Sequence, residues 1–238
     1  MDENLRLPPI FHLVAIGRKN AAAEACRLAK RGADPATLVW ARRDGFLDCA
    51  VVLSPETPLA EARLVLYAGM LGLGDALGAL VPAGTDVTYR WPNVLEVNLA
   101  AAARLSLAVP PQARAGEIPA WLVLRAEAAL GLDPDSKPPA GFGTTLRAEG
   151  CAGFGAADLL GAYSRHLLTW INRWMADGFD PVRAMWLRHA PAHGETLRVT
   201  VGDRALRGVF DGIGDDGAML LRGPKTVRRV ALDRALAG

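Results

Sequence analysis

Tyr89-Arg90-Trp91-Pro92-Asn93 is the stretch of this chain most able to build a site. It follows Asp86-Val87-Thr88, which reads as a strand start, and precedes the apolar run Val94-Leu95-Glu96-Val97. Proline brings no N–H to a ladder, so it belongs at a strand end, an edge or a bulge. It also pushes Trp91 towards extended geometry. A strand that stops there leaves the Asn93 amide at a corner, free to bond. A core tryptophan followed by a turn is the plainer reading. Arg18 and Lys19, beside the N-cap candidate Asn20, could bind an anion at a helix N-terminus, or be solvated turn charges.

Other chemistries find less support. His189 and His193 are four apart, but Pro191 and Gly194 make that segment a loop, and no third ligand lies near, so no metal site is expected. Cys151 has no adjacent histidine to activate it as a nucleophile. His166 lies beside an apolar helical seam, where a half-buried core histidine would sit. No Ser/His/Asp triad is readable.

The elements that must position these residues follow in order. Residues 11–16 read as a first strand, and 21–30 as a helix capped by Asn20 and stopped by Gly32 and Asp34-Pro35. Strands over 37–40 and 47–53 are joined by a hairpin loop through Asp44-Gly45. Pro58 opens one long apolar helix to about Leu80. After the Trp-Pro-Asn strand come strands over 104–109 and 120–126, then a surface loop at 133–139. Asp158 can cap a helix to about Asp177, whose seam (Leu159, Leu160, Tyr163, Leu167, Trp170, Ile171, Trp174) has a 3.6-residue period. A shorter helix spans 181–188. From Glu195 the tail alternates as four short strands, which make a small barrel of their own. A boundary near Pro191–Glu195 gives domains of 1–192 and 193–238.

At 238 residues, 51% hydrophobic and 22% charged, the chain has ordinary globular composition. A net charge of +2, with scattered basic residues, makes no case for nucleic acid. Three dispersed cysteines suggest a reducing, cytoplasmic setting. Met1-Asp2-Glu3-Asn4 is not the start of a signal peptide. The run Leu64–Val81 holds Asp75 and four glycines, which argues against a membrane span.

Trp91-Pro92-Asn93 after a long buried helix, then a two-helix segment with Trp186-Leu187, then Gly212-Ile213…Gly217-Ala218-Met219-Leu220-Leu221, resembles a biotin protein ligase. The Arg-Trp-Pro start and Arg165-His166-Leu167-Leu168…Trp170…Asn172-Arg173-Trp174 are similar to an uncharacterised subfamily of biotin/lipoate ligase-like proteins. The resemblance implies an α+β fold: a class II synthetase-like mixed sheet with helices, plus a C-terminal SH3-like β-barrel. It implies adenylation of biotin or a related small acid by ATP with Mg²⁺, then transfer to a lysine on a biotinyl or lipoyl carrier domain. By analogy with related ligases it also implies a homodimer as one option, and the absence of a helix-turn-helix removes any expectation of DNA binding.

That chemistry needs cations around the α-phosphate and donors on the carboxylate. The resemblance assigns catalysis to Arg90, Asn93 and Arg104, and ligand contacts to Arg42, Arg43, Trp91, Arg18, Lys19 and Asn20. Each motif departs from the family pattern. The glycine-rich phosphate loop is reduced to Ala41-Arg42-Arg43-Asp44-Gly45, where a solvated arginine pair is the alternative. Arg90 stands for a lysine and Val94 for an acid. No lysine occupies the next strand, where Arg104 is the nearby cation. Gly17-Arg18-Lys19-Asn20 replaces a Ser/Thr-rich turn. Losing one transition-state donor costs roughly a hundred- to a thousandfold in rate, so efficient biotin ligation is not expected unless Arg42, Arg43 or Arg104 compensates. Three readings stay open: a ligase for a different small acid, a silent scaffold binding a small ligand or a carrier domain, and unrelated hydrolysis.

Overall fold

The computed structural model describes residues 5–190, 192–201 and 204–236. One mixed sheet organises residues up to 130. Its strands are β1 (His12–Ile16), β2 (Thr37–Ala41), β3 (Phe46–Leu53), β4 (Val87–Arg90), β5 (Val94–Val97), β6 (Ala100–Ala108) and β7 (Leu122–Ala129). They lie in the order β1-β2-β3-β7-β6-β5-β4, antiparallel throughout except for the parallel pair β1–β2.

Alternation along each strand gives the sheet two unlike faces. On one face lies a single helix, α1 (Ala21–Ala29), whose Ala21, Ala25 and Ala29 rest on Val39, Ala50, Val52 and Val123. Alanines four apart form a flat stripe, so α1 sits close. Asn20 Oδ1 caps it by accepting from Ala23 N at 2.9 Å, as expected. On the other face lie α3 (Val65–Gly78), α4 (Ala156–Asp177) and α5 (Phe179–Arg188), which enclose the main core. Gly69 lets α3 press onto the sheet, since a Cβ there would stand 2.7 Å from Leu105 and 2.9 Å from Leu124.

Three local expectations change. The apolar run after Pro58 is two helices, α2 (Leu59–Ala62) and α3, rather than one. At the joint, Leu64 N bonds Glu61 O, Leu66 N bonds Arg63 O and Tyr67 N bonds Leu64 O. Those three-residue steps tighten the chain and turn its axis. β6 begins at Ala100 rather than Arg104, because the turn at Asn98 and Leu99, both at positive φ, folds the poor strand-forming alanines onto β5. Asp158 caps α4 from inside: its carboxylate accepts from Gly155 N at 2.9 Å, and the helix starts at Ala156.

The tail forms β8 (Thr196–Val201), β9 (Arg204–Ile213), β10 (Met219–Arg222) and β11 (Val227–Val230), an antiparallel sheet in the order β11-β10-β9-β8. A short helix, α6 (Leu232–Leu236), follows. Phe210, Ile213, Met219 and Leu221 of this small sheet join the main core. The Gly202-Asp203 turn, Pro191 and the first four residues, read above, lie outside the described residues. Among the described residues no helix is long and apolar enough to cross a membrane.

Candidate functional site

Asp48 on β3, Glu127 on β7 and Arg104 on β6 are direct cross-strand neighbours in the sheet register, with Val94 of β5 and Arg90 of β4 continuing the row. Directly opposed side chains share a face, so all five lie on the α1 side of the sheet, beyond the part α1 covers. Asp48 opposite Glu127 sets like charges together, which is destabilising unless something bridges them. Arg125, two residues before Glu127, supplies the bridge. Its Nε and Nη2 donate to the two oxygens of Asp48 at 2.8 and 2.9 Å, and Nη2 lies 2.9 Å from Glu127 Oε1. Burial alone would lower the Arg125 pKa, but the Asp48 and Glu127 carboxylates outweigh it and hold it above its ordinary value.

Seven side chains then close a ring. Arg43 Nη1 lies 3.8 Å from Asp48 Oδ2, and Arg104 Nε donates to Glu127 Oε2 at 3.0 Å. The Arg43 guanidinium stands over the Phe46 ring at 4.3 Å and the Arg104 guanidinium over the Phe142 ring at 4.7 Å. Phe46 and Phe142 meet edge to face, with centroids 5.5 Å apart. Three guanidiniums against two carboxylates leave one net positive charge. The ring is also layered. The Asp48 and Glu127 side chains are 0% and 6% exposed, while Arg43 and Arg104 are 38% and 37% exposed. Acceptors are therefore spent inside and donors face out, as an anion requires. Gly141, at φ +86°, passes directly over Arg104: a Cβ there would sit 2.6 Å from Nη1. The α1 N-terminus reaches the same place through Ala21 N, 3.5 Å from Asp48 Oδ2.

The candidates from sequence divide around this ring. Arg43 and Arg104 belong to it. Arg42, on the same hairpin, places its guanidinium 5.4 Å from the Trp40 ring centroid. Arg18 bonds Asp44 of that hairpin at 2.7 Å, tying the turn of Arg18, Lys19 and Asn20 to it. Arg90 lies on the same face two strands from Arg104, more than half exposed, and pairs with Glu96 at 3.2 Å. Asn93 binds across the corner, its amide donating to Leu105 O at 2.6 Å while its own carbonyl accepts from Leu105 N. Trp91 turns to the opposite side and packs in the main core. His189 stacks on Tyr89 and His193 meets Phe210, so the two histidines do not converge. Among the described residues no cluster of three His, Cys, Asp or Glu could hold a metal. Burial pushes the Cys49 and Cys151 thiols up, leaving both poor nucleophiles.

Residues 7–188 match the biotin/lipoate A/B protein ligase family over most of the chain. The chain belongs to that family. The biotin–acetyl-CoA-carboxylase ligase of Paracoccus denitrificans is 29% identical over 189 residues, 78% of this chain and 77% of that one. A biotin protein ligase-like protein of unknown function from a Silicibacter species has the same architecture over 96% of this chain and 97% of that one, with a TM-score of 0.86 and 33% identity. The biotin protein ligase of Aquifex aeolicus, solved with biotin and ATP, superposes with a TM-score of 0.73 at 14% identity, covering 94% and 97%. These likenesses establish the biotin ligase-like fold, with its small C-terminal sheet, for this member of the biotin/lipoate ligase family.

Within this family member, sequence reasoning passed over Asp48, Arg125, Glu127, Phe46 and Phe142. The clue was present. Asp48 interrupts the apolar strand Phe46–Leu53, and Arg125 and Glu127 interrupt Leu122–Ala129. Charges inside otherwise apolar central strands must be paired with each other.

Proposed function

We propose that this chain activates a small carboxylic acid with ATP and transfers the acyl group to a lysine of a carrier protein. In the first step a carboxylate oxygen attacks the α-phosphorus, the bond to pyrophosphate breaks, and an acyl-adenylate remains. In the second the lysine amine attacks the acyl carbon, AMP leaves, and the amine gives up a proton. Negative charge gathers on the phosphoryl oxygens in the first step, where fixed donors help most.

The observation that carries this reading is the outward pair Arg43 and Arg104, each held by an aromatic ring above and a buried carboxylate below. Guanidiniums fixed this way need little reorganisation when an anion arrives. Arg90 and Arg42 supply further positive charge at the rim, and Lys19 and the α1 N-terminus lie beside the hairpin. Asn93 fixes the corner between Arg90 and Arg104. The Paracoccus denitrificans relative is a biotin ligase and the Aquifex aeolicus structure contains biotin and ATP, which supports biotin and ATP as the first ligands to try. Asp48 and Glu127 do not suit Mg²⁺, since arginines occupy their oxygens. Any magnesium would come with the nucleotide, and no step is assigned to it. A cytoplasmic location and a homodimer through the outer sheet edge at β1 complete the proposal.

ATP–pyrophosphate exchange with biotin, lipoate, octanoate and shorter acids tests it. Exchange with one acid names the substrate. A second reading, a binding scaffold for a ligand or carrier domain, is favoured by the ring's internal neutralisation: Arg104 and Arg125 are already paired with carboxylates of the same chain. Absence of exchange with every acid, together with retained ligand binding, would decide for it.

A further inference from the structure

On the opposite side of the sheet from the arginine ring, α3, β4, α4 and the end of α5 surround an open pit of about 470 Å³. Its walls carry Asp75, Tyr89, His166 and His189, and its shape comes from Gly74 and Gly78 on α3. A Cβ at Gly74 would stand 1.9 Å from the Tyr89 hydroxyl, so that glycine makes room for the phenol. A Cβ at Gly78 would meet nothing within 4 Å, so that one leaves space unfilled.

The pit offers acceptors in Asp75, Tyr89, His166, His189 and Thr85, of which only the Asp75 carboxylate cannot also donate. Asp75 Oδ2 accepts from Trp170 Nε1 at 2.6 Å, which fixes the carboxylate. His166 Nδ1 is 3.9 Å from the same oxygen, beyond hydrogen-bond reach, and Oδ1 has no partner among the described residues. Tyr89 is 2% exposed, and its hydroxyl bonds to nothing among the described residues although it borders the pit. The hydroxyl keeps its small exposure where Tyr89 borders the pit, so a molecule seated there can supply its partner. Burial, and then the charge of Asp75, pushes the Tyr89 phenol up, so it stays neutral with lone pairs to offer. His189 stacks on the Tyr89 ring at 5.0 Å and adds an aromatic wall. No lysine or arginine lines the pit, and Asp75 is its one carboxylate.

A fixed carboxylate, a free phenol oxygen, imidazoles and ring faces together match a cation carrying N–H donors and a small apolar body. We propose that this pit binds an organic ammonium ion, with Asp75 as its counter-ion and the Tyr89 oxygen as a second acceptor. The site is separate from the arginine ring and does not depend on the activity assigned there.

Titration of the full chain with benzylammonium, and with benzyl alcohol and benzoate as its neutral and anionic counterparts, tests this by the imidazole resonances of His166 and His189. Benzylammonium is expected to shift both saturably, and the other two are not. Asp75→Asn keeps an oxygen for the Trp170 N–H and should weaken binding at least tenfold. Gly78→Leu, entering open space, should abolish it with the fold intact. Nα-acetyl-lysine-N-methylamide as a further probe separates the sources: tighter binding than benzylammonium points to a lysine side chain, weaker binding to a free amine. No saturable shift, preference for benzoate, or an Asp75→Asn protein that titrates like the wild type would overturn the proposal.

Discussion

The indole N–H of Trp91 donates to the Tyr67 phenol oxygen at 2.9 Å, and that phenol donates in turn to the carbonyl of Gly217 at 2.6 Å. Three distant segments meet there: the end of the Trp-Pro-Asn strand, the start of α3 and the turn between β9 and β10. Tyr67→Phe would leave the Trp91 N–H with only its longer contact to Gly217 O, at 3.3 Å. We expect a loss of about 1–3 kcal/mol, the cost of an under-satisfied buried group, seen as a lower urea midpoint. An unchanged midpoint would mean the small sheet docks by apolar contact alone.

Asp48 holds the ring together, and its removal leaves the largely buried Arg125 with Glu127 as its one carboxylate, already shared with Arg104. Asp48→Asn should cost about 3–5 kcal/mol in chemical denaturation. Pairing Asp48→Leu with Arg125→Met should recover much of that loss, because an apolar pair needs no desolvated partner. A double variant as unstable as the single one would show that the charges do more than satisfy each other.

The two pit glycines should respond in opposite directions. Gly74→Ala forces a methyl against the Tyr89 hydroxyl and should destabilise by about 1–3 kcal/mol. Gly78→Ala meets no neighbour and should stabilise by up to about 1 kcal/mol through helix propensity. Thermal melts of the pair decide this.

Acid should loosen the β9–β10 turn. Burial pushes the Asp216 carboxyl up, but its bonds from Arg229 and Ala218 N outweigh burial and hold it below the usual aspartate range. A carboxylate depressed on folding adds stability that is fully present above its unfolded value, about 3.9, and lost as pH falls through the folded one. The gap in denaturation midpoint between wild type and Asp216→Asn should therefore shrink below about pH 4. A gap that widens on acidification would contradict this.

Much of the fold could be read from the sequence because its rules are local. Asn20 caps α1, the seam from Leu159 to Trp174 lies on α4, and the four tail strands fall close to where their alternation places them. Long-range pairing was not local. Ala100–Ala103 become strand only because β5 lies alongside, and the break after α2 depends on how Tyr67 must enter the core. At the site, Arg43 and Arg104 were visible as cations near strand ends. Their supports were not, since Asp48, Arg125, Glu127 and Phe142 come together only through the register of three strands and a returning loop. Tyr89 was read as part of the Trp-Pro-Asn strand, yet its phenol faces the far side of the sheet.

The proposed function has the arginine ring receive an acyl-adenylate. Isothermal titration with a non-hydrolysable biotinyl-sulfamoyl adenosine, into wild type and Arg104→Gln, tests it most directly. Saturable binding to the wild type is expected, with at least tenfold weaker binding to an equally folded Arg104→Gln. Equal affinity for the two proteins, or no binding to either of this compound or its octanoyl and lipoyl counterparts, would contradict it.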